Sequence, residues 1–285
     1  MSTTDLGIAT ASTGPPRRLT TESGKPLRVT QLRSLRVELM KMRTLRSTYL
    51  TLAVAISSLA AIGVIISWTT ANDWLHMRGR ERLHFNPLDD SLAGFQLAQL
   101  AIGVLGVLII ASEYSTGMIR ASLAAVPRRL PMLWAKLGVF ATVTFATMLP
   151  SSLFAFFVSQ RLLSVRHIQT SWAVPGVART VIGVALYLTV VALIGVALGA
   201  ILRNVAGAIA TLVGVLLILP VIASALPQTW ADRINKYLPS NAGQALMSFS
   251  SDSRQMSPWR GFALFCGYAA FAIVVAAFAL RKRDA

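Results

Sequence analysis

VIGVALYLTVVALIGVALGAILRNVAGAIATLVGVLLILPVIASAL, residues 181–226, decides the fold class of this chain. Apart from Arg203-Asn204 near its middle, it is apolar with a few scattered hydroxyls. A helix needs about 20 apolar residues to cross roughly 30 Å of hydrocarbon. An arginine and an asparagine at mid-membrane would be expensive. The stretch therefore reads as two spans, 181–202 and 205–226, joined by a tight hairpin at Arg203-Asn204.

Working outward, four more runs of spanning length appear at 49–68, 92–111, 133–159 and 262–280. Lys136 is the one Asp, Glu, Lys or Arg in any of the six, and it stands at the start of its run, within snorkelling reach of the interface. That third run is long and holds Pro150, so a kink or a protruding end is expected. The expected fold class is all-α, a polytopic membrane protein with six transmembrane helices. Composition agrees: 13% of residues are charged, against about 25% in soluble domains.

The net charge of +16 would raise nucleic-acid binding in a soluble protein. Its distribution gives another reading. With the N-terminus inside, the inner segments hold 17 basic and 5 acidic residues and the outer loops 10 and 6. Basic excess on the cytoplasmic side is the usual signature of membrane topology. Both termini are therefore expected in the cytoplasm, with lipid bilayer rather than nucleic acid as the partner of the basic excess. Arg78, Arg80 and Arg82 in the first outer loop run against the trend. The single cysteine, Cys266, excludes an intrachain disulfide and a cysteine metal site. A polar stretch of 48 residues precedes the first span, which does not fit a cleavable signal.

Residues 1–30, rich in Ser, Thr, Gly and Pro, read as a disordered cytoplasmic tail, and 31–285 as the membrane domain. Within 31–46, Leu32, Leu35, Leu39, Met42 and Leu45 recur at helical spacing among Arg33, Arg36, Lys41, Arg43 and Arg46. That pattern suits an amphipathic helix lying in the inner interface. The segment 112–132, SEYSTGMIRASLAAVPRRLPM, reads as a short inner helix broken by Pro127 and Pro131. Between the fifth and sixth spans, Trp230, Tyr237 and Trp259 mark short helices resting on the outer surface, broken at Pro239.

No G-x-x-x-x-G-K-[ST] phosphate loop occurs, nor G-x-S-x-G, H-E-x-x-H or paired C-x-x-C. No cofactor site is expected in this chain. Ion-driven carriers place ionisable groups within their spans, and these spans offer only mild polar groups. Gln96 and Gln99, three apart on one helix face, suit a pathway lining or an interhelical hydrogen bond. Gly195-x-x-x-Gly199 suits close helix packing.

Three segments resemble the membrane permease subunits of type-2 bacterial ABC exporters. LRVELMKMRTLRSTY resembles the interfacial helix before the family's first span, with Glu38, Lys41 and Arg46 at matching places. SEYSTGMIRASLAAVPRR resembles its coupling segment, E-Y-x-x-G-T-I-R followed by Pro and basic residues: Glu113, Tyr114, Gly117, Ile119, Arg120 and Pro127 match, while Met118 departs from the Thr. INKYLPSNAG resembles the outer segment before the last span. The resemblance implies a bacterial plasma-membrane location, a second permease copy or homologous permease, and ATP-binding ABC subunits that carry the ATP and Mg. It implies export of a drug, antimicrobial peptide or lipid-like substrate. The chain would be no enzyme itself. Two other classes stand beside it: a membrane-embedded enzyme, for which Asp89-Asp90 with His84 is the candidate constellation, and a non-transporting anchor or sensor.

Overall fold

In a computed structural model of the chain, residues 46–83, 85–115, 129–248 and 256–282 are described. Every regular element among them is helical. The order is α1 (Arg46–Asp73), α2 (Gly79–Leu83), α3 (Pro87–Leu92), α4 (Phe95–Ser115), α5 (Arg129–Leu163), a 3-10 turn (Ser164–Arg166) and α6 (Val177–Leu202). Then come α7 (Val205–Val213), a π-helical turn (Gly214–Ile218), α8 (Leu219–Ser224), α9 (Gln228–Ile234), a second 3-10 turn (Asn235–Tyr237), α10 (Pro239–Gln244) and α11 (Pro258–Lys282). Six stretches are long and apolar enough to cross a membrane: Ser47–Asp73, Pro87–Ala111, Leu133–Arg166, Val177–Leu202, Val205–Ser224 and Pro258–Lys282. The chain is a multi-pass helical membrane protein, as the apolar runs predict. The tail, the interfacial helix expected before Arg46, and most of the 112–132 segment lie outside the described residues.

The helices outrun the apolar windows because backbone hydrogen bonding continues until a breaker stops it, not until the first charge. α6 starts at Val177, after Gly176 at φ 99, and carries Arg179 in its first turn. α5 begins at Arg129, so Pro131 does not break it. In a first turn the missing proline N–H has no intrahelical partner to lose. Lys136 consequently stands about two turns inside α5. It is only 3% exposed, so it is packed into the bundle rather than snorkelling. At 35 residues α5 is about 52 Å long, which exceeds the hydrocarbon thickness and requires tilt or protruding ends. Pro150 lies within this one helix. Around it, Thr147 donates to the Val143 carbonyl at 2.8 Å and Ser151 to that of Thr147 at 2.8 Å.

The hairpin between the fourth and fifth spans is as tight as expected. Arg203 takes the left-handed conformation, φ 53, and its N–H donates to the Gly199 carbonyl at 3.0 Å. Asn204 then starts α7, its Oδ1 accepting from Gly207 N at 2.9 Å. Within the fifth span the π-helical turn ends just before Pro220, which has no N–H to offer the Leu216 carbonyl.

α6 is the centre of the bundle. Of its most apolar window 72% is buried, against 17% for the fifth span and 22% for the sixth. Its largest neighbour is α4, followed by α5 and α11. Thr48, Leu52, Ala55, Leu59, Gly63, Ser67 and Ala71 make the buried stripe of α1, recurring at helical spacing. At the end of the bundle where α1 finishes, side chains tie three helices together. Thr70 donates to Asp90 at 2.7 Å, Gln160 to Ser91 Oγ at 2.9 Å, and Arg166 Nε to the Ala71 carbonyl at 2.9 Å.

Candidate functional site

The junction of α4 with α6 is built on four glycines. A β-carbon on Gly195 would collide with the Gly103 carbonyl oxygen, one on Gly106 would lie 2.6 Å from the Ala192 carbonyl oxygen, and one on Gly199 would lie 2.9 Å from the Val107 carbonyl oxygen. Missing side chains on both helices let the backbones meet directly. Gly195-x-x-x-Gly199 is half of this contact; its counterpart is Gly103 and Gly106, three apart on α4.

Beside the glycine seam sits a polar knot. Tyr187 lies ten residues into α6, about 15 Å from its start. Its hydroxyl donates to Gln99 Oε1 at 2.6 Å, and Gln99 Nε2 donates to Gln96 Oε1 at 2.9 Å. Tyr187 and Gln99 are fully buried, whereas Gln96 is exposed. The two glutamines therefore take different parts: Gln99 makes the interhelical bond, and Gln96 carries the chain to the surface of the bundle.

The tyrosine ring is held from three sides. Phe265 of α11 stacks on it at 5.2 Å between centroids, and Phe95 of α4 meets it edge-on at 6.0 Å. Gly243 of α10 closes the third side: a β-carbon there would lie 2.7 Å from Tyr187 Cδ2 and 2.6 Å from Phe265 Cδ1. The Gln244 side chain stands beside Tyr187. This corrects part of the surface reading of the stretch after the fifth span. α9 is exposed, with Trp230 open to the surroundings, and the chain does break at Pro239. Beyond that break, however, Ser240, Ala242, Gly243, Ala245, Leu246 and Met247 are buried, and α10 turns back into the bundle. Its small residues allow it: the bundle accepts Ala-Gly where a bulkier pair would strike aromatic rings.

Tyr187 and Gln244 carry no sequence motif. The available signal was physical: a phenol at the seventh position of the apolar run 181–202 needs a hydrogen-bond partner. Of the other expected residues, Glu113 and Tyr114 fall in the last turn of α4. Gly117, Ile119, Arg120 and Pro127 lie outside the described residues, as does His84. Asp89 and Asp90 stand in the first turn of α3, a favourable place for carboxylates, with Asn86 Oδ1 accepting from Leu88 N at 3.1 Å just before them.

The knot offers neutral hydrogen-bonding groups in an apolar setting. Among the described residues no group of three or more His, Cys, Asp or Glu is placed to hold a metal ion. Such an arrangement can fix helices against one another and can present an amide to a neutral or amphipathic molecule; it holds no base to activate a nucleophile. No protein-family model matches the chain, and no curated protein matches it significantly.

Proposed function

We propose that this chain is the membrane-spanning permease subunit of an ATP-driven ABC exporter, working with a second permease and with ATP-binding subunits that hold ATP and Mg. The observation that carries the reading is the continuity of the coupling-like segment with α4. Glu113 and Tyr114, which open the stretch resembling a coupling segment, belong to the last turn of α4. Four glycines seat α4 against the central helix α6. A displacement delivered at 112–132 would pass along α4 into the core, because directly apposed backbones leave no soft side-chain layer to absorb it. Apart from Lys136, buried near the start of the third span, the six apolar runs contain no Asp, Glu, Lys or Arg, in keeping with an energy source outside the membrane domain. In this reading the protein sits in a bacterial plasma membrane with both termini cytoplasmic. Gln96 and the exposed face of α4 border the path of a drug, antimicrobial peptide or lipid-like substrate.

The reading assigns Glu113, Gly117 and Arg120 to the contact with the ATPase. Gly117→Trp and Arg120→Glu, expressed with the partner ATPase, should reach normal membrane abundance and lose substrate-stimulated ATP hydrolysis. Normal stimulation in both variants would reduce the segment to a loop.

A further inference from the structure

Beyond α1 the chain makes a short excursion whose side chains divide into two sets. The first set is internally engaged. The Arg82 guanidinium sits 5.4 Å from the Trp74 ring centroid and donates to the Leu75 carbonyl at 3.1 Å. Trp74 packs edge-on against Phe85 at 5.0 Å, and Glu81 accepts from Arg78 N at 3.1 Å. These contacts fold the turn and fix α2. The second set is exposed. Residues 78–83 are all exposed, and among the described residues no hydrogen bond or ion pair holds the Arg78 or Arg80 guanidinium. Leu83 is 84% exposed and Leu75 63%. Exposed apolar side chains beside exposed cations are costly in open water and are the composition of an interfacial segment.

The surroundings say which interface. α2 follows directly on a membrane-spanning helix whose own apolar face is open at Val54, Ile65 and Trp68. Leu75 and Leu83 add two more exposed apolar side chains just past the end of the span. Trp68 stands where amphipathic rings gather at headgroup level.

We propose that α2 lies in the phospholipid headgroup layer, with Leu75 and Leu83 in the acyl boundary and Arg78 and Arg80 on lipid phosphates, preferring anionic headgroups. Arg82 is a positioning residue: it holds the turn against Trp74 and leaves phosphate contact to its neighbours. The placement needs only the six-span fold, holds for either side of the membrane, and stands or falls separately from the transport reading. It also accounts for the three arginines that break the charge asymmetry: Arg78 and Arg80 serve lipid contact and Arg82 holds the turn that presents them.

The test uses the full chain carrying Cys266→Ser, with a nitroxide on Leu83→Cys, in vesicles of phosphatidylethanolamine and phosphatidylglycerol. Collision with oxygen should exceed collision with an aqueous nickel complex, placing residue 83 at the acyl boundary. In lipid-exchange mass spectrometry of the purified protein, Arg78→Gln and Arg80→Gln should each lower retention of phosphatidylglycerol relative to phosphatidylcholine. The expected drop is about fivefold, the equivalent of ~1 kcal/mol per basic residue at an anionic surface. Both side chains are exposed and make no hydrogen bond or ion pair among the described residues, so the variants should keep their structure. A water-like collision profile at residue 83, as would follow if α2 served a soluble protein partner, would overturn the proposal. So would equal retention of the two lipids by the parent chain.

Discussion

Tyr187 of α6 donates its hydroxyl hydrogen to Gln99 of α4 at 2.6 Å, with both side chains fully buried in the bundle. Tyr187→Phe keeps the ring between Phe265 and Phe95 and removes only the donor, leaving Gln99 Oε1 short of a partner. The expected cost is about 0.6–2 kcal/mol, the range for interhelical hydrogen bonds within membranes. Thermal unfolding of the purified protein in detergent measures it. An unchanged midpoint would mean that Gln99 finds another donor.

The glycine seam makes a comparison with its own control. Gly106→Ala and Gly195→Ala each drive a β-carbon into backbone of the facing helix. Overpacking of this kind costs about 1–3 kcal/mol. Gly138 and Gly267 have nothing within 4 Å of a built β-carbon. Alanine at those two positions should be neutral or stabilising by up to about 1 kcal/mol through helix propensity. Unfolding midpoints of the four variants, measured side by side, should separate into two groups.

The hairpin rests on one cap. Asn204→Ala removes the acceptor for Gly207 N and should destabilise the fifth span by about 1 kcal/mol. Asn204→Asp keeps an oxygen in place and should retain most of the stability. Limited proteolysis at the turn reports the difference, with faster cutting in the alanine variant alone.

Topology follows from the proposal and from the charge asymmetry. In a Cys266→Ser background, a membrane-impermeant thiol reagent added to intact cells should label Arg78→Cys and spare Arg129→Cys. Labelling of the second and not the first would invert the bundle and detach the 112–132 segment from the cytoplasm.

The spans and the hairpin were legible in the sequence because both rest on local chemistry. Twenty apolar residues name a span wherever they occur, and Arg203-Asn204 marks the one place where the 181–226 run can turn. Helix ends were less legible. Pro131 signals a break by composition, yet its place in a first turn makes it harmless, and that place depends on where α5 starts. The polar knot was half legible. Gln96 and Gln99 announce a polar face, but which one pairs is decided by rotation of α4 against α6, set in part by Gly195 and Gly199, far away in the sequence. The return of α10 was hidden for the same reason. Polar, Trp-rich sequence reads as surface, and only the close fit of Gly243 against the Tyr187 and Phe265 rings lets part of it lie inward.

The proposal that an external ATPase drives this bundle is tested most directly by reconstitution of the purified chain, alone and with the ATPase that co-purifies with it from native membranes. The account predicts that the chain alone neither hydrolyses ATP nor moves substrate in proteoliposomes under an ion gradient. The assembled complex should hydrolyse ATP and transport, with both activities lost in Gly117→Trp. Ion-gradient-driven transport by the chain alone, or native membranes that yield it with no ATPase bound, would contradict the account.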